Sequence, residues 1–89
     1  MTNLLVAPLP GNEALADRIA QGLGCPVGQM ETRRFPDGET YLRWVDDLRD
    51  REVVLVCTLD RPDAKLLPLL FAAGAARQLG AVRVGLVAP

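Results

Sequence analysis

Apolar residues in the first third of the chain form a short continuous run and then a helical repeat. Residues 4–7 are uniformly apolar, which predicts a buried strand. Over residues 15–23 an aliphatic side chain recurs at every fourth position, which predicts a helix with one apolar face. We expect the side chain of Asn12 to cap the start of this helix, and Gly22 and Gly24 to end it.

The middle of the chain contains two strand-like segments around a turn. Residues 30–35 and 40–45 have the composition of short strands. Between them, Pro36 fixes the first turn angle and Gly38 accepts conformations that other residues avoid. The pattern therefore predicts a β-hairpin, which a charged loop over residues 46–51 follows.

The last part of the chain predicts a strand, a helix and a strand. Residues 52–58 contain a β-branched run that suits a strand buried on both faces, as in a parallel sheet. Residues 64–79 predict a second helix, with Asp63 as its cap and with Pro68 in its first turn, where proline is tolerated. A final strand is predicted over residues 82–87.

The second predicted helix is apolar on all sides, since residues 66–76 contain no charged side chain. Such a helix is either an ordinary core helix or part of an interface with another subunit or domain. We favour the interface, because a small domain can hardly cover this helix and large exposed apolar patches are rare on monomers.

The order of elements predicts an α/β fold. The last strand, helix and strand form a βαβ unit, whose strands are parallel. We therefore expect one domain over residues 1–89, with a mostly parallel sheet, flanking helices and a protruding β-hairpin. Because open α/β sheets bind ligands at the carboxyl ends of their strands, and the chain ends at such a point, we also expect it to be part of a longer protein.

Composition narrows the chemistry. The formal charge of −1 gives no indication of binding to nucleic acid or to an anionic membrane. The absence of histidine excludes serine–histidine and cysteine–histidine catalysis. Two cysteines, no signal peptide and no long apolar run predict a cytoplasmic location. Nine arginines against one lysine reflect either compositional bias or recognition of phosphate or carboxylate groups.

The hairpin carries a resemblance to a known family. The run Arg34-Phe35-Pro36-Asp37-Gly38-Glu39, followed by an alternating strand, resembles a segment in the amino-terminal domain of the phosphoribosyl pyrophosphate synthetases (ribose-phosphate diphosphokinases). Gly11-Asn12 at the first helix, Tyr41-Leu42-Arg43 after the motif and the strand–helix–strand pattern over residues 53–87 occur in the same order as in that family. The resemblance covers nearly the whole chain.

The resemblance implies a fold and an activity. The family transfers a diphosphoryl group from magnesium-bound ATP to the 1-hydroxyl of ribose 5-phosphate, which gives phosphoribosyl pyrophosphate and AMP. Its subunits contain two related α/β domains similar to type I phosphoribosyltransferases, so this chain corresponds to half of a subunit. The subunits assemble as dimers and often as hexamers, and the hairpin reaches into a neighbouring subunit's active site.

The resemblance also assigns roles to residues of the hairpin. Phe35 is expected to stack on adenine, and Asp37 and Glu39 to accept or orient hydrogen bonds from its edge. Adenine offers a flat face and an amine donor, which suit one aromatic ring and two carboxylates. The other interpretation is a solvent-exposed turn with Phe35 packed inward.

Arg49 matches an arginine of the segment that forms a phosphate or nucleotide effector site in many family members. Asp47 stands where well-studied members have a serine, and its carboxylate would repel phosphate. Effector inhibition at this position is therefore in doubt, and Arg49 is otherwise a solvated loop charge.

The catalytic segments of the family come after the point where this chain ends, and the chain offers no candidate magnesium site. We therefore expect no catalytic residue within it and no activity from these residues alone. Two alternatives remain open. One is a non-catalytic regulatory or binding module related to the family, and the other is an α/β scaffold with unrelated ligand chemistry.

Overall fold

The computed structural model describes residues 3–34, 36, 40–60 and 62–89, and it describes their side chains except at 34, 40 and 62–65. These residues form strands and helices in the predicted order: β1 (Leu4–Pro8), α1 (Glu13–Leu23), β2 (Met30–Arg34), β3 (Thr40–Trp44), β4 (Glu52–Val56), α2 (Pro62–Gln78) and β5 (Arg83–Val87). The predicted elements are all present, with ends shifted by a few residues.

Three of the strands form a parallel sheet in the order β1-β4-β5. Val6 lies opposite Val54, which in turn lies opposite Gly85. Val27 forms an isolated parallel bridge to Val6. Since the strands are parallel and helices connect them, the α/β fold class predicted from the sequence is confirmed.

The two helices cover opposite faces of this sheet, because successive side chains of a strand point to opposite sides. On one face the buried residues of β1 and β4 pack with Leu69, Ala72 and Ala76 of α2. On the other face Val6 and Val56 pack with buried alanines of α1. Two thin cores therefore lie on either side of one sheet.

The start of α1 differs from the prediction. Asn12 occupies the N-cap position, but its side chain makes no capping hydrogen bond. Instead it exchanges two hydrogen bonds with Thr58, which follows β4. The predicted end is confirmed at Gly24, whose φ of 68° is left-handed, whereas Gly22 lies inside the helix. Glycine adopts this conformation without steric cost.

The start of α2 lies earlier than the sequence predicts. The helix begins at Pro62, so Asp63 lies within the first turn and is not the cap. Proline suits the first helical position, because its missing N–H would have no helical acceptor there. Pro68 consequently lies in the helix interior and not in the first turn.

The segment before β2 packs closely on β1. The N–H of Gly28 donates to the carbonyl oxygen of Val6 at 2.7 Å. A Cβ atom at Gly28 would lie 2.8 Å from Cδ2 of Leu5. A side chain at this position would force the buried Leu5 side chain to shift, so glycine suits the close approach that places the start of the hairpin beside the sheet.

The strand β5 exposes apolar residues. Leu86 and Val87 remain partly open to solvent, although strands of parallel sheets are normally covered on both faces. No helix in the described part of the chain is long and apolar enough to cross a membrane.

Candidate functional site

The hairpin is a separate two-stranded sheet with one inward and one outward face. Its antiparallel register runs from Met30 opposite Trp44 to Arg34 opposite Thr40. Met30, Leu42 and Trp44 contact the core on the α2 side. Because side chains alternate along a strand, Arg33 and Arg43 point the other way. The paired strands therefore have one face against the body of the domain and one face toward solvent.

The outward face of the hairpin carries a small charge network. The carboxylate of Glu31 lies 3.0 Å from Nη2 of Arg33 and 3.1 Å from Nη2 of Arg43. The arginine side chains are largely exposed, so each pair contributes about 0.2–1 kcal/mol at most. Both guanidinium groups pair with a carboxylate of the hairpin itself. This weakens the interpretation that these arginines recognise phosphate.

The predicted adenine contacts fall between the two paired strands in the sequence. Phe35, Asp37 and Glu39 fall outside the described residues, and Pro36 between them is exposed. The pairing of Arg34 with Thr40 brings the two strands together immediately beside these positions. The roles assigned to the three residues stay predictions.

One hydrogen bond holds the base of the hairpin to α2, and a second joins the two sides of the hairpin at its base. Trp44 is only 6% exposed, and its indole N–H donates to the carbonyl oxygen of Ala72 at 3.1 Å. The N–H of Gln29 donates to the Asp46 carboxylate at 2.6 Å, just beyond the paired residues. Sequence reasoning missed Trp44, although it shares the inward face of β3 with Leu42 and a buried indole N–H requires an acceptor.

Beside the hairpin, α2 exposes a group of large apolar side chains. We call the group the α2 apolar surface, and its members are 45–57% exposed: Leu66, Leu67, Leu70 and Phe71. A cleft of about 420 Å³ lies between this surface and β3, with Tyr41 and Leu42 on its other wall. Large exposed apolar areas are rare on monomeric proteins.

Arg49 lies in the loop after the hairpin, next to the turn between α2 and β5. Gly80 in that turn has a φ of 99°, and a Cβ atom there would lie 3.2 Å from Cγ of Arg49. The backbone N–H of Arg49 donates to the Asp47 carboxylate at 3.1 Å, and its guanidinium lies 3.8 Å from the other oxygen of that carboxylate. The arginine predicted as an effector contact thus has a carboxylate beside it.

A second polar feature lies at the carboxyl edge of the parallel sheet. Asn12 is 7% exposed; its amide N–H donates to Thr58 Oγ1 at 2.8 Å, and its oxygen accepts from the Thr58 backbone N–H at 3.1 Å. The pair joins the start of α1 to the residues after β4. Sequence reasoning treated Asn12 as a local cap and missed this contact.

Metal ligands are not gathered in the part of the chain that the structure describes. Among the described residues, no three cysteine, aspartate or glutamate side chains lie together where they could hold a metal ion.

Comparison with known proteins identifies the family. The sequence model of the N-terminal domain of ribose phosphate pyrophosphokinase matches residues 4–89. The ribose-phosphate pyrophosphokinases of Methanobrevibacter smithii and Saccharolobus solfataricus are 39% and 38% identical over 79 and 74 residues. These regions cover 88% and 82% of this chain, but only 26% and 25% of the relatives. The chain thus spans about a quarter of the length of these curated relatives.

Solved structures agree with the fold. The phosphoribosylpyrophosphate synthetase of Mycobacterium smegmatis has a TM-score of 0.87 and 24% identity over 99% of this chain and 30% of its own. A purine phosphoribosyltransferase from Pyrococcus horikoshii has a TM-score of 0.69 and 18% identity over 98% of this chain and 59% of its own. At these identities the likeness shows the fold alone. Since the sequence match covers almost every residue, the chain belongs to the family of ribose-phosphate pyrophosphokinase N-terminal domains.

Proposed function

We propose that this chain is the amino-terminal domain of an active ribose-phosphate pyrophosphokinase that serves nucleotide biosynthesis in the cytoplasm. In this reaction the 1-hydroxyl oxygen of ribose 5-phosphate attacks the β-phosphorus of ATP, and the bond from that phosphorus to the AMP oxygen breaks. The hydroxyl proton is released, and the products are phosphoribosyl pyrophosphate and AMP. The observation that carries the proposal is the family match over residues 4–89.

The activity requires more protein than these residues supply. Phosphoryl transfer depends on metal ions and fixed cationic groups around the moving charge. Magnesium would enter with ATP and be held mainly by other parts of the subunit, as the family resemblance implies. The partly exposed β5 supports the idea that a further part of a two-domain subunit packs there.

The test is an assay of AMP and phosphoribosyl pyrophosphate formation with purified protein. We expect the product of the complete native reading frame to be active with ATP and ribose 5-phosphate, and the 89-residue chain alone to be inactive. An inactive complete protein, with folding verified by circular dichroism, would contradict the proposal.

Within this function we assign adenine binding to the hairpin tip. Phe35 would stack on the base, and Asp37 and Glu39 would accept hydrogen bonds from its amine. Two paired strands with a buried base support the assignment, because a contact residue must be held in one orientation to bind tightly. The tip would act in the active site of a neighbouring subunit.

Replacing Phe35 by alanine tests the adenine role. We expect the Michaelis constant for ATP to rise by about fivefold to a hundredfold, the range that loss of one base-stacking contact supplies. The constant for ribose 5-phosphate should stay unchanged. Arg43→Ala is the control, because this exposed residue lies on the outward face, near the base. Equal changes for both substrates would exclude a specific adenine contact.

We further propose that the α2 apolar surface forms a subunit contact in a homodimer or homohexamer. Four half-exposed apolar side chains on neighbouring turns support this role, since exposing them permanently would favour non-specific association. The contact would also bring one subunit's hairpin to another subunit's site.

Arg49 is proposed as an effector contact of reduced strength. Its guanidinium already has the Asp47 carboxylate beside it, which would compete with an incoming phosphate. A solvated loop charge is the simpler role for the same exposed side chain.

A second candidate function is a non-catalytic module that docks onto complete synthetase subunits. The α2 apolar surface is the observation that favours it, because the surface would suit docking without catalysis. Co-purification of the chain with a complete synthetase that differs from it would support this function. A failure to associate would exclude it.

A further inference from the structure

The hydrogen bond between Trp44 and Ala72 joins β3 of the two-stranded hairpin to α2, which packs on the three-stranded sheet. Trp44 is the last residue of β3, and Ala72 lies in α2 and is fully buried. The donor and acceptor atoms are 3.1 Å apart, which is a good hydrogen-bond distance for an indole N–H. The bond is buried, so water does not compete for either group.

The backbone bond from Gly28 to Val6 ties the start of the hairpin to β1, and side-chain contacts with α2 set the orientation of its far side. β2 and β3 pair with each other in a sheet of their own, apart from β1, β4 and β5. Apolar contacts of Leu42 and Met30 with the core resist separation but are not directional. A hydrogen bond has a preferred angle as well as a distance, so Trp44 adds a directional constraint.

A small rotation at the base of the hairpin produces a larger displacement at its far end. Trp44 pairs with Met30 at the base, and the last pair before the tip is Arg34 with Thr40, four residues further along. This separation corresponds to about 13 Å of strand. A rotation of about 10° at the base would therefore displace the end of the strands by about 2 Å, enough to misplace a contact residue.

We propose that Trp44 is a positioning residue. Its indole N–H fixes the hairpin on α2, so that the tip is held in the orientation that adenine binding requires. The inference rests on the adenine role proposed for the hairpin.

The test removes the N–H donor and keeps the aromatic bulk. Trp44→Phe is the genetic variant, and benzothienylalanine at position 44 is a closer match, because its bicyclic ring has sulfur in place of the N–H. Val53→Ala is the control, since Val53 is buried in the same core but lies on β4. It lowers stability by shortening a side chain of β4 and leaves the Trp44 indole N–H in place.

Two measurements are made on each variant. In the complete protein, we expect both Trp44 variants to raise the Michaelis constant for ATP by about twofold to tenfold, the equilibrium factor of one net hydrogen bond. The constant for ribose 5-phosphate should not change. Hydrogen exchange should show faster exchange of the β2 and β3 amides relative to those of β1 and β4, whereas Val53→Ala should not change this ratio.

The outcomes separate this inference from the proposed function. If Phe35→Ala raises the constant for ATP while both Trp44 variants remain at the wild-type value, the positioning role is wrong and the adenine role stands. If Phe35→Ala has no effect, the adenine role is wrong and the inference falls with it. If the Trp44 variants and Val53→Ala, compared at matched stability, changed the Michaelis constant for ATP and the exchange ratio equally, Trp44 would have only a structural role. The inference would then be wrong.

Discussion

The two helices of the domain use apolar residues in different ways. α1 buries Ala16 and Ala20 against one face of the sheet and directs charged residues to solvent. α2 buries Leu69, Ala72 and Ala76 against the other face, yet the α2 apolar surface remains about half exposed. The sheet therefore covers the apolar face of α1. By contrast, α2 has a second apolar side that the described residues leave uncovered. The difference is the observation on which the proposed subunit contact through α2 rests.

The comparison between the two sides of α2 is tested by truncating adjacent leucines. Leu69 is 7% exposed and Leu70 is 57% exposed. Leu69→Ala should lower the free energy of unfolding by about 2–5 kcal/mol, because it leaves a cavity in the core. Leu70→Ala should change it by about 0.5 kcal/mol or less. Urea unfolding of the 89-residue chain measures both, and similar losses would show that the two sides are not distinct.

The start of α1 provides the next largest effect. Asn12→Ala removes two hydrogen bonds and leaves the Thr58 backbone N–H without this acceptor, which should lower the free energy of unfolding by about 1–3 kcal/mol. Asn3→Ala is the control, since the exposed Asn3 makes a longer bond of 3.4 Å. Urea midpoints for the two variants measure the difference. If Asn12→Ala behaved like Asn3→Ala, the Asn12–Thr58 pair would have no stabilising role.

The outer sides of the two helices are compared by charge insertion at matched leucines. Leu70 on α2 and Leu23 at the end of α1 are both 57% exposed, but only Leu70 belongs to a group. If the chain self-associates through α2, Leu70→Glu should raise the dissociation constant at least about tenfold, because a charge would be buried in the contact. Leu23→Glu should leave it unchanged. Sedimentation equilibrium checks both, and a wild-type chain that stays monomeric at high concentration would contradict the proposed contact.

The sequence predicted the elements well because each depends on local patterns. The β-branched run of β4 indicated a strand buried on both faces, and the four-residue spacing in α1 indicated its inward side. The order of the elements then left a parallel sheet as the simplest arrangement. For the candidate site, the residues named at the hairpin tip came from a family resemblance, and Phe35, Asp37 and Glu39 remain predictions.

What the sequence did not reveal depends on contacts between distant residues. Asn12 has the right local context for a cap, yet its side chain bonds Thr58, which lies 46 residues away. The bond from Trp44 to Ala72 spans 28 residues. Local propensity predicts neither pair, since each forms only after the sheet has brought the elements together. Pro68 was placed in a first turn because the start at Pro62 was missed.

The end of α1 gives the smallest effect and tests whether its two glycines have different roles. Gly24 has a φ of 68°, where an alanine Cβ is strained, so Gly24→Ala should lower the free energy of unfolding by about 1 kcal/mol. Gly22 lies within the helix, and a Cβ there would meet no atom within 4 Å among the described residues. Gly22→Ala should therefore raise the free energy of unfolding by about 0.5–1 kcal/mol, because alanine loses less conformational entropy in a helix. Thermal and urea unfolding of the two variants should shift in opposite directions. If both variants raised the free energy of unfolding, α1 would continue past Leu23 in solution and both glycines would be helical.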